Sequence, residues 1–254
     1  MIDVPWRRRA GDAPGKSLAA ASRASLRAVL DAVAVIFPVE CAGCAAPDRA
    51  LCEQCRARIS TGIHRQLLSD GTVAVSALPY EGHVRAMILA FKERGRTDVV
   101  RPLSRALRRA MEAAAADGPA SVEVCTIPST RPALRRRGYR PVELLLRSAG
   151  FRAARVLTVA TATAEQKSLG KAQREGNLHG LFRATPLVRG RRFIIVDDIL
   201  TTGATALEAA RAITAAGGAV AAVATLAFTP RRAPKATSAA VVKHADSAPV
   251  DIRA

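Results

Sequence analysis

Aromatic residues are scarce in this chain. Phe, Tyr and Trp make up 4% of its 254 residues, although apolar residues reach 49%. Much of that apolar content is alanine, which predicts a lean core of small and branched side chains. Long hydrophobic runs are missing too: no apolar stretch reaches the roughly 18 residues that a bilayer-spanning helix needs, so no membrane span is expected. Acid is in short supply, with 21 Asp plus Glu against 39 Lys plus Arg and a formal net charge of +18. Such an excess favours polyanionic partners, whether nucleic acid or a diphosphate-bearing small molecule. An arginine- and alanine-rich composition inherited from nucleotide bias gives the same number.

Two familiar signals fail when read closely. Arg7, Arg8 and Arg9 precede an alanine-rich segment, as in an export signal, but Arg23, Arg27 and Asp31 interrupt that segment. A cytoplasmic protein is predicted. Gly11–Ser17 reads GDAPGKS, close to a nucleotide-binding P-loop, but it has three residues between its glycines and no strand before it.

Four of the five cysteines are grouped. Cys41, Cys44, Cys52 and Cys55 follow the spacing C-x2-C-x7-C-x2-C. Each pair can form a chelating knuckle, and four thiolates complete a tetrahedron with no open position, so a structural Zn²⁺ is expected. Disulfides or a redox site are the competing readings, and the predicted cytoplasmic setting disfavours disulfides. Cys125 stands alone in an apolar run and reads as a buried, inert residue.

Phe193–Thr205 reads FIIVDDILTTGAT. The apolar run Phe193, Ile194, Ile195, Val196 suits a strand buried on both faces of a parallel sheet. It leads to adjacent carboxylates, Asp197 and Asp198. A turn of hydroxyls and small residues follows, Thr201, Thr202, Gly203, Ala204 and Thr205, and then an alanine-rich helix. Open α/β sheets bind ligands at the carboxyl ends of their strands, and a helix N-terminus offers unpaired N–H groups to a phosphate. The order acid, acid, hydroxyl-rich turn, helix suits a ligand carrying sugar hydroxyls and a phosphate.

The rest of the chain arranges itself around that stretch. Pro, Gly and charge in 1–16, and Pro, Ala, Ser and charge in 229–254, predict disordered ends. Residues 17–62 make a helix plus the cysteine module; in Ser17–Phe37 the apolar residues Leu26, Val29, Leu30, Val33 and Ile36 share one face. Residues 72–228 make one α/β domain. Strands are expected at Thr72–Tyr80, Val122–Ile127, Arg155–Val159, Leu181–Ala184 and Ala219–Phe228. Helices are expected at Gly82–Gly95 (with Val84, Met87, Ile88 and Phe91 on one face), Asp98–Ala116, Pro141–Ala149 and Ala204–Ala216. The loop after Pro128 carries Arg131, Arg135, Arg136, Arg137 and Arg140, which can grip a pyrophosphate or meet a nucleic-acid backbone. Thr161–Asn177 is long, polar and without a core pattern, as in a mobile lid.

VDDILTTGAT resembles the PRPP-binding motif of type I phosphoribosyltransferases. From about Leu30 to Phe228 the chain resembles the ComF family of phosphoribosyltransferase-like proteins, linked in transformable bacteria to DNA uptake. The four cysteines after Phe37-Pro38, Tyr80-Glu81-Gly82 leading to Phe91-Lys92, Arg137-Gly138-Tyr139, and the Gln166, Leu169, Arg174, Asn177, Phe182 spacing carry that likeness. Two positions depart from it. The loop has one proline where the family has two, and Arg140-Pro141 stand in place of an amide pair. The resemblance implies a type I phosphoribosyltransferase-like parallel sheet flanked by helices with a small zinc module. It also implies that Asp197 and Asp198 hold ribose hydroxyls directly or through Mg²⁺, that Thr201–Thr205 cradle the 5′-phosphate, and that Arg131 and Arg137 meet the pyrophosphate. Two functions follow. One is PRPP binding with Mg²⁺, with or without transfer to an acceptor. The other is a nucleic-acid-binding role, on single-stranded DNA, that keeps the fold without turnover.

Overall fold

The computed structural model of the chain describes residues 39–59, 62–116, 121–160 and 178–230. The helix expected over Ser17–Phe37, the polar stretch Thr161–Asn177 and the ends expected to be disordered, up to 16 and from 231, lie outside the described residues.

A cysteine-bearing loop and a short helix, α1 (Glu53–Arg58), come first. Then follow β1 (His64–Leu67), β2 (Val73–Pro79), α2 (Gly82–Arg94), α3 (Val100–Ala116) and β3 (Glu123–Thr126). The remaining elements are α4 (Arg131–Arg137), α5 (Pro141–Ser148), β4 (Leu157–Val159), β5 (Phe182–Ala184), β6 (Arg192–Leu200), α6 (Ala204–Ala215) and β7 (Ala219–Phe228). The main sheet has the order β1-β2-β7-β6-β3, with β2, β7, β6 and β3 parallel and β1 an antiparallel edge. The expected parallel sheet flanked by helices is therefore present.

Burial follows the apolar pattern on both faces of the sheet. Ile194 and Val196 join a cluster with Met87, Ile88 and Phe91 of α2 and Leu103 and Leu107 of α3. Phe193 and Ile195 face the other way, onto Ala209 and Ile213 of α6 and Phe182 of β5. Each fully buried side chain of this size stabilises by roughly 1.5–3 kcal/mol. The β4–β5 ribbon lies beside α6, where Glu208 accepts the Phe182 N–H at 3.2 Å and is itself held by Arg211 at 2.6 Å.

Three local outcomes differ from the sequence reading. The strand does not stop at the acid pair: β6 runs on to Leu200, because Asp197, Ile199 and Leu200 keep their ladder partners Thr225, Ala227 and Phe228 in β7. The arginine-rich segment after Pro128 is not a loop throughout, since Pro132 near its start and Gly138 in a left-handed conformation (φ 74°) bound the helix α4. Arg155–Val159 supplies only the short ribbon strand β4, outside the five-stranded sheet.

Candidate functional site

The parallel strands deliver their carboxyl ends to one side of the sheet. Four pieces of sequence meet there: the acids and hydroxyl turn of β6, the segment after β3, and the last turn of α2.

Asp197 sits inside the sheet, level with Thr225 of β7, which is level with Ser76 of β2. Ser76 donates to Thr225 Oγ1 at 2.7 Å, and Thr225 donates on to the Ala227 carbonyl at 3.0 Å. These hydroxyls satisfy one another, so a polar row crosses an otherwise apolar sheet at the depth of Asp197. Asp197 Oδ1 accepts the Asp198 backbone N–H at 2.8 Å. Burial, and then the charge of Asp198, push the Asp197 carboxyl up from the ordinary aspartate range to about 7. Asp198 points to the opposite face, where Lys92 Nζ of α2 lies 2.7 Å from its Oδ2.

Strand alternation thus sends the two carboxylates apart, and one is already paired with an ammonium. They do not converge on one point, so the acid pair does not fit a divalent ion chelated between them.

Thr201, Thr202 and Gly203 form the turn between β6 and α6. Gly203 has φ 84°, and a Cβ there would lie 2.7 Å from Leu68 Cδ2. Both the conformation and the space call for glycine. Thr202 Oγ1 accepts the Ala204 N–H at 3.3 Å. Thr201, Thr202 and Ala204 are exposed, Thr205 is half-buried and Gly203 is buried.

Arg131 begins α4, and only its backbone is described. Arg137 turns toward α2: its Nη2 meets Glu93 Oε1 at 2.6 Å, while Arg136 meets Glu93 Oε2 at 2.8 Å. Arg137 Nε is buried without a hydrogen-bond partner. Tyr139 donates to the Phe91 carbonyl. Arg140 pairs with Glu143 at 3.3 Å, and Arg155 meets the same carboxylate at 3.0 Å. These side chains, with Ser129, Thr130 and Thr158, wall a cavity of about 650 Å³ at the end of β3. Sequence reasoning assigned no role to Lys92, Glu93 or Glu143. Lys92 and Glu93 become visible only when α2 is laid beside β6 and α4.

The cysteines form a second centre. The Sγ atoms of Cys41, Cys44, Cys52 and Cys55 all lie within 4.8 Å of one another. The Cys52 N–H donates to Cys41 Sγ at 3.4 Å, and the Cys55 N–H to Cys52 Sγ at 3.5 Å. Burial pushes the Cys41 thiol up, but backbone N–H groups of Cys52, Cys44 and Gly43 outweigh it and bring it down to about 6. Burial pushes the Cys55 thiol up. Four converging sulfurs with N–H donors are the donor set of a closed, structural metal site, and the residues fit one. This module rests on α2: His83 Nδ1 donates to the Gly43 carbonyl at 3.2 Å. Arg96, just past the helix, donates to the Glu40 and Ala50 carbonyls at 3.0 and 3.3 Å. Cys125 is fully buried and burial raises its thiol to about 12, in line with an inert residue.

Among the described residues, no helix is long and apolar enough to cross a membrane. A phosphoribosyl transferase domain family matches residues 133–251. The "DNA utilization protein YhgH" of Escherichia coli O6:H1 and that of O157:H7 are each 27% identical over 191 residues, 70% of this chain and 84% of theirs. An orotate phosphoribosyltransferase of Sulfurovum sp. (strain NBC37-1) is 43% identical over 79 residues, 31% of this chain and 35% of that protein. The crystal structure of orotate phosphoribosyltransferase from Aeropyrum pernix is 14% identical with a TM-score of 0.31, covering 69% of this chain and 90% of that one. So low a score adds nothing to the argument.

Proposed function

The chain is a ComF-like protein of the phosphoribosyltransferase fold with a four-cysteine module, and on that premise we propose that it binds PRPP or a related ribose phosphate at the carboxyl end of β6. The observation that carries this reading is the turn at Thr201–Thr205. It is rich in hydroxyls, exposes Thr201, Thr202 and Ala204, and is closed by a left-handed Gly203 at the N-terminus of a 12-residue helix. Beside it stand Asp197 and Asp198, which suit ribose hydroxyls. Arg131 and Arg137, in the segment after β3, are the groups assigned to the pyrophosphate. Mg²⁺ accompanies the ligand on its diphosphate oxygens, and Zn²⁺ is the metal proposed for Cys41, Cys44, Cys52 and Cys55.

Should the protein transfer the phosphoribosyl group, breaking the C1′–O bond builds positive charge on the sugar and negative charge on the departing diphosphate. Carboxylates beside the ring offset the first and guanidinium groups the second. Calorimetry with PRPP and Mg²⁺ tests the binding. Saturable heat is expected from the native chain and none from the double variant Asp197→Asn, Asp198→Asn. Absence of binding at millimolar PRPP in the native chain would overturn the proposal.

A second reading, a nucleic-acid-binding protein without turnover, draws on the +18 charge and on exposed arginines such as Arg136 and Arg155. The name of the Escherichia coli relative points the same way. It requires affinity for single-stranded DNA that falls steeply with salt.

A further inference from the structure

The last turn of α2 touches the proposed ribose-phosphate site through three consecutive residues. The Phe91 carbonyl accepts the Tyr139 hydroxyl, Lys92 reaches Asp198, and Glu93 holds Arg136 and Arg137. The turn is rigidly placed. Met87, Ile88 and Phe91 are fully buried beneath it, and Gly95 in a left-handed conformation (φ 66°) ends the helix. Lys92 is therefore delivered to β6 by a packed helix.

The Lys92–Asp198 pair is largely withdrawn from water, with 17% and 19% of the two side chains exposed. A divalent ion bound directly to Asp198 would have to share the carboxylate with this ammonium or displace it, and Asp197 cannot help to hold it from the other face of the strand. Lys92 also has donors to spare. An ammonium carries three N–H groups, of which Asp198 Oδ2 takes one. Part of the side chain stays exposed beside Asp198 on β6.

Accordingly, and resting on the ribose-phosphate reading above, we propose that Lys92 is the resident cation of this site. Its ammonium remains on Asp198 while contacting the ligand's sugar or phosphate oxygens, so that recognition of the ribose 5-phosphate moiety needs no divalent ion at the acid pair. The charge is part of the fold, and the divalent ion is needed only by ligands that carry a diphosphate.

Ribose 5-phosphate, which lacks the diphosphate, separates the two cations. Calorimetric titration of the full chain is run in excess Mg²⁺ and in EDTA, with a zinc-loaded sample and a brief exposure so that the cysteine cluster keeps its metal. The native chain is expected to bind with a Kd that differs by no more than about two-fold between the conditions. Lys92→Met is expected to weaken binding by about ten-fold or more in both, because it leaves Asp198 without its partner, while Lys92→Arg retains most of the affinity. Circular dichroism confirms that each variant is folded, and the comparison of Mg²⁺ with EDTA on the native chain needs no variant. Ribose 5-phosphate binding that requires Mg²⁺, or that is unchanged in folded Lys92→Met, would overturn the role of Lys92 while PRPP binding stands. Failure of the native chain to bind either ligand would remove the ribose-phosphate reading and this inference together.

Discussion

Gly43 leaves no room for a side chain beside Cys55: a Cβ at Gly43 would lie 2.6 Å from Cys55 Sγ and 3.2 Å from Met87 Cγ. One glycine thereby sets how closely the two cysteine pairs approach each other and how closely the module approaches α2. The sulfur belongs to the four-cysteine cluster and cannot move without opening it, and Met87 is fully buried. Gly43→Ala is expected to lower bound zinc well below one equivalent and to lower stability by about 1–3 kcal/mol through overpacking. Metal analysis and thermal melts of purified protein check this. A variant with full zinc and a native Tm would show that the four sulfurs tolerate a wider spacing.

Removing the zinc proposed for the cysteine cluster should be felt at the acid pair. The module is tied to α2 by His83 on the Gly43 carbonyl and by Arg96 on the Glu40 and Ala50 carbonyls, and the same helix carries Lys92. A chelator strong enough to strip the cysteines is expected to lower the Tm by several degrees and to weaken ribose 5-phosphate binding several-fold, with both recovered on adding Zn²⁺. Loss of stability with unchanged affinity would show that the module supports the fold without positioning α2.

Local patterns carried much of this architecture. The run Phe193–Val196 is buried on both faces as a central parallel strand should be, and the Val84, Met87, Ile88, Phe91 stripe is the buried face of α2. The cysteine spacing announced a cluster that the chain does bring together. What sequence could not supply was pairing. Asp is a poor strand former, so Asp197 and Asp198 read as the end of a strand. The ladder to β7, which pairs Asp197 with Thr225 and Ile199 with Ala227, carries the strand through them. His64–Leu67 alternates only weakly in burial and becomes a strand by pairing with β2. Lys92 and Asp198 are over a hundred positions apart, so their contact depends on how α2 packs on the sheet.

The turn proposed to hold the phosphate should be sensitive to a single methyl group. Gly203→Ala meets a left-handed backbone, unfavourable for an L-residue by roughly 1–2 kcal/mol, and pushes on the Leu68 side chain. Leu68 ends in flexible methyl groups and can yield, so the fold should survive with a Tm a few degrees lower. The amides at the start of α6 would be reoriented, and ribose 5-phosphate affinity is expected to fall about ten-fold or more. Calorimetry alongside a melt separates the two effects. A variant with lowered Tm but native affinity would show that the turn does not contact the phosphate.

Asp197 should set the stability and the binding of this protein against each other as pH changes. Its carboxyl titrates near 7 in the folded chain, raised by burial and by Asp198, whereas in the unfolded chain it titrates near 3.8. A raised folded value means that the unfolded chain gives up this proton first. The contribution is fully present below about pH 4, is lost as pH climbs toward 7, and stays lost above it. Asp197→Asn removes the titration, so its stability relative to the native chain should be near zero at pH 4 and rise to on the order of 2–4 kcal/mol by pH 8. Denaturant melts across that range measure the difference. Binding should run the other way: an ionised carboxylate accepts a sugar hydroxyl better than a neutral one, so ribose 5-phosphate should bind more tightly as pH passes 7, and Asp197→Asn should lose that gain. A stabilised variant that binds poorly would mark Asp197 as a residue kept at a cost to the fold. If the variant were less stable at pH 8 than the native chain, the buried carboxylate would instead be held by partners that favour its charge.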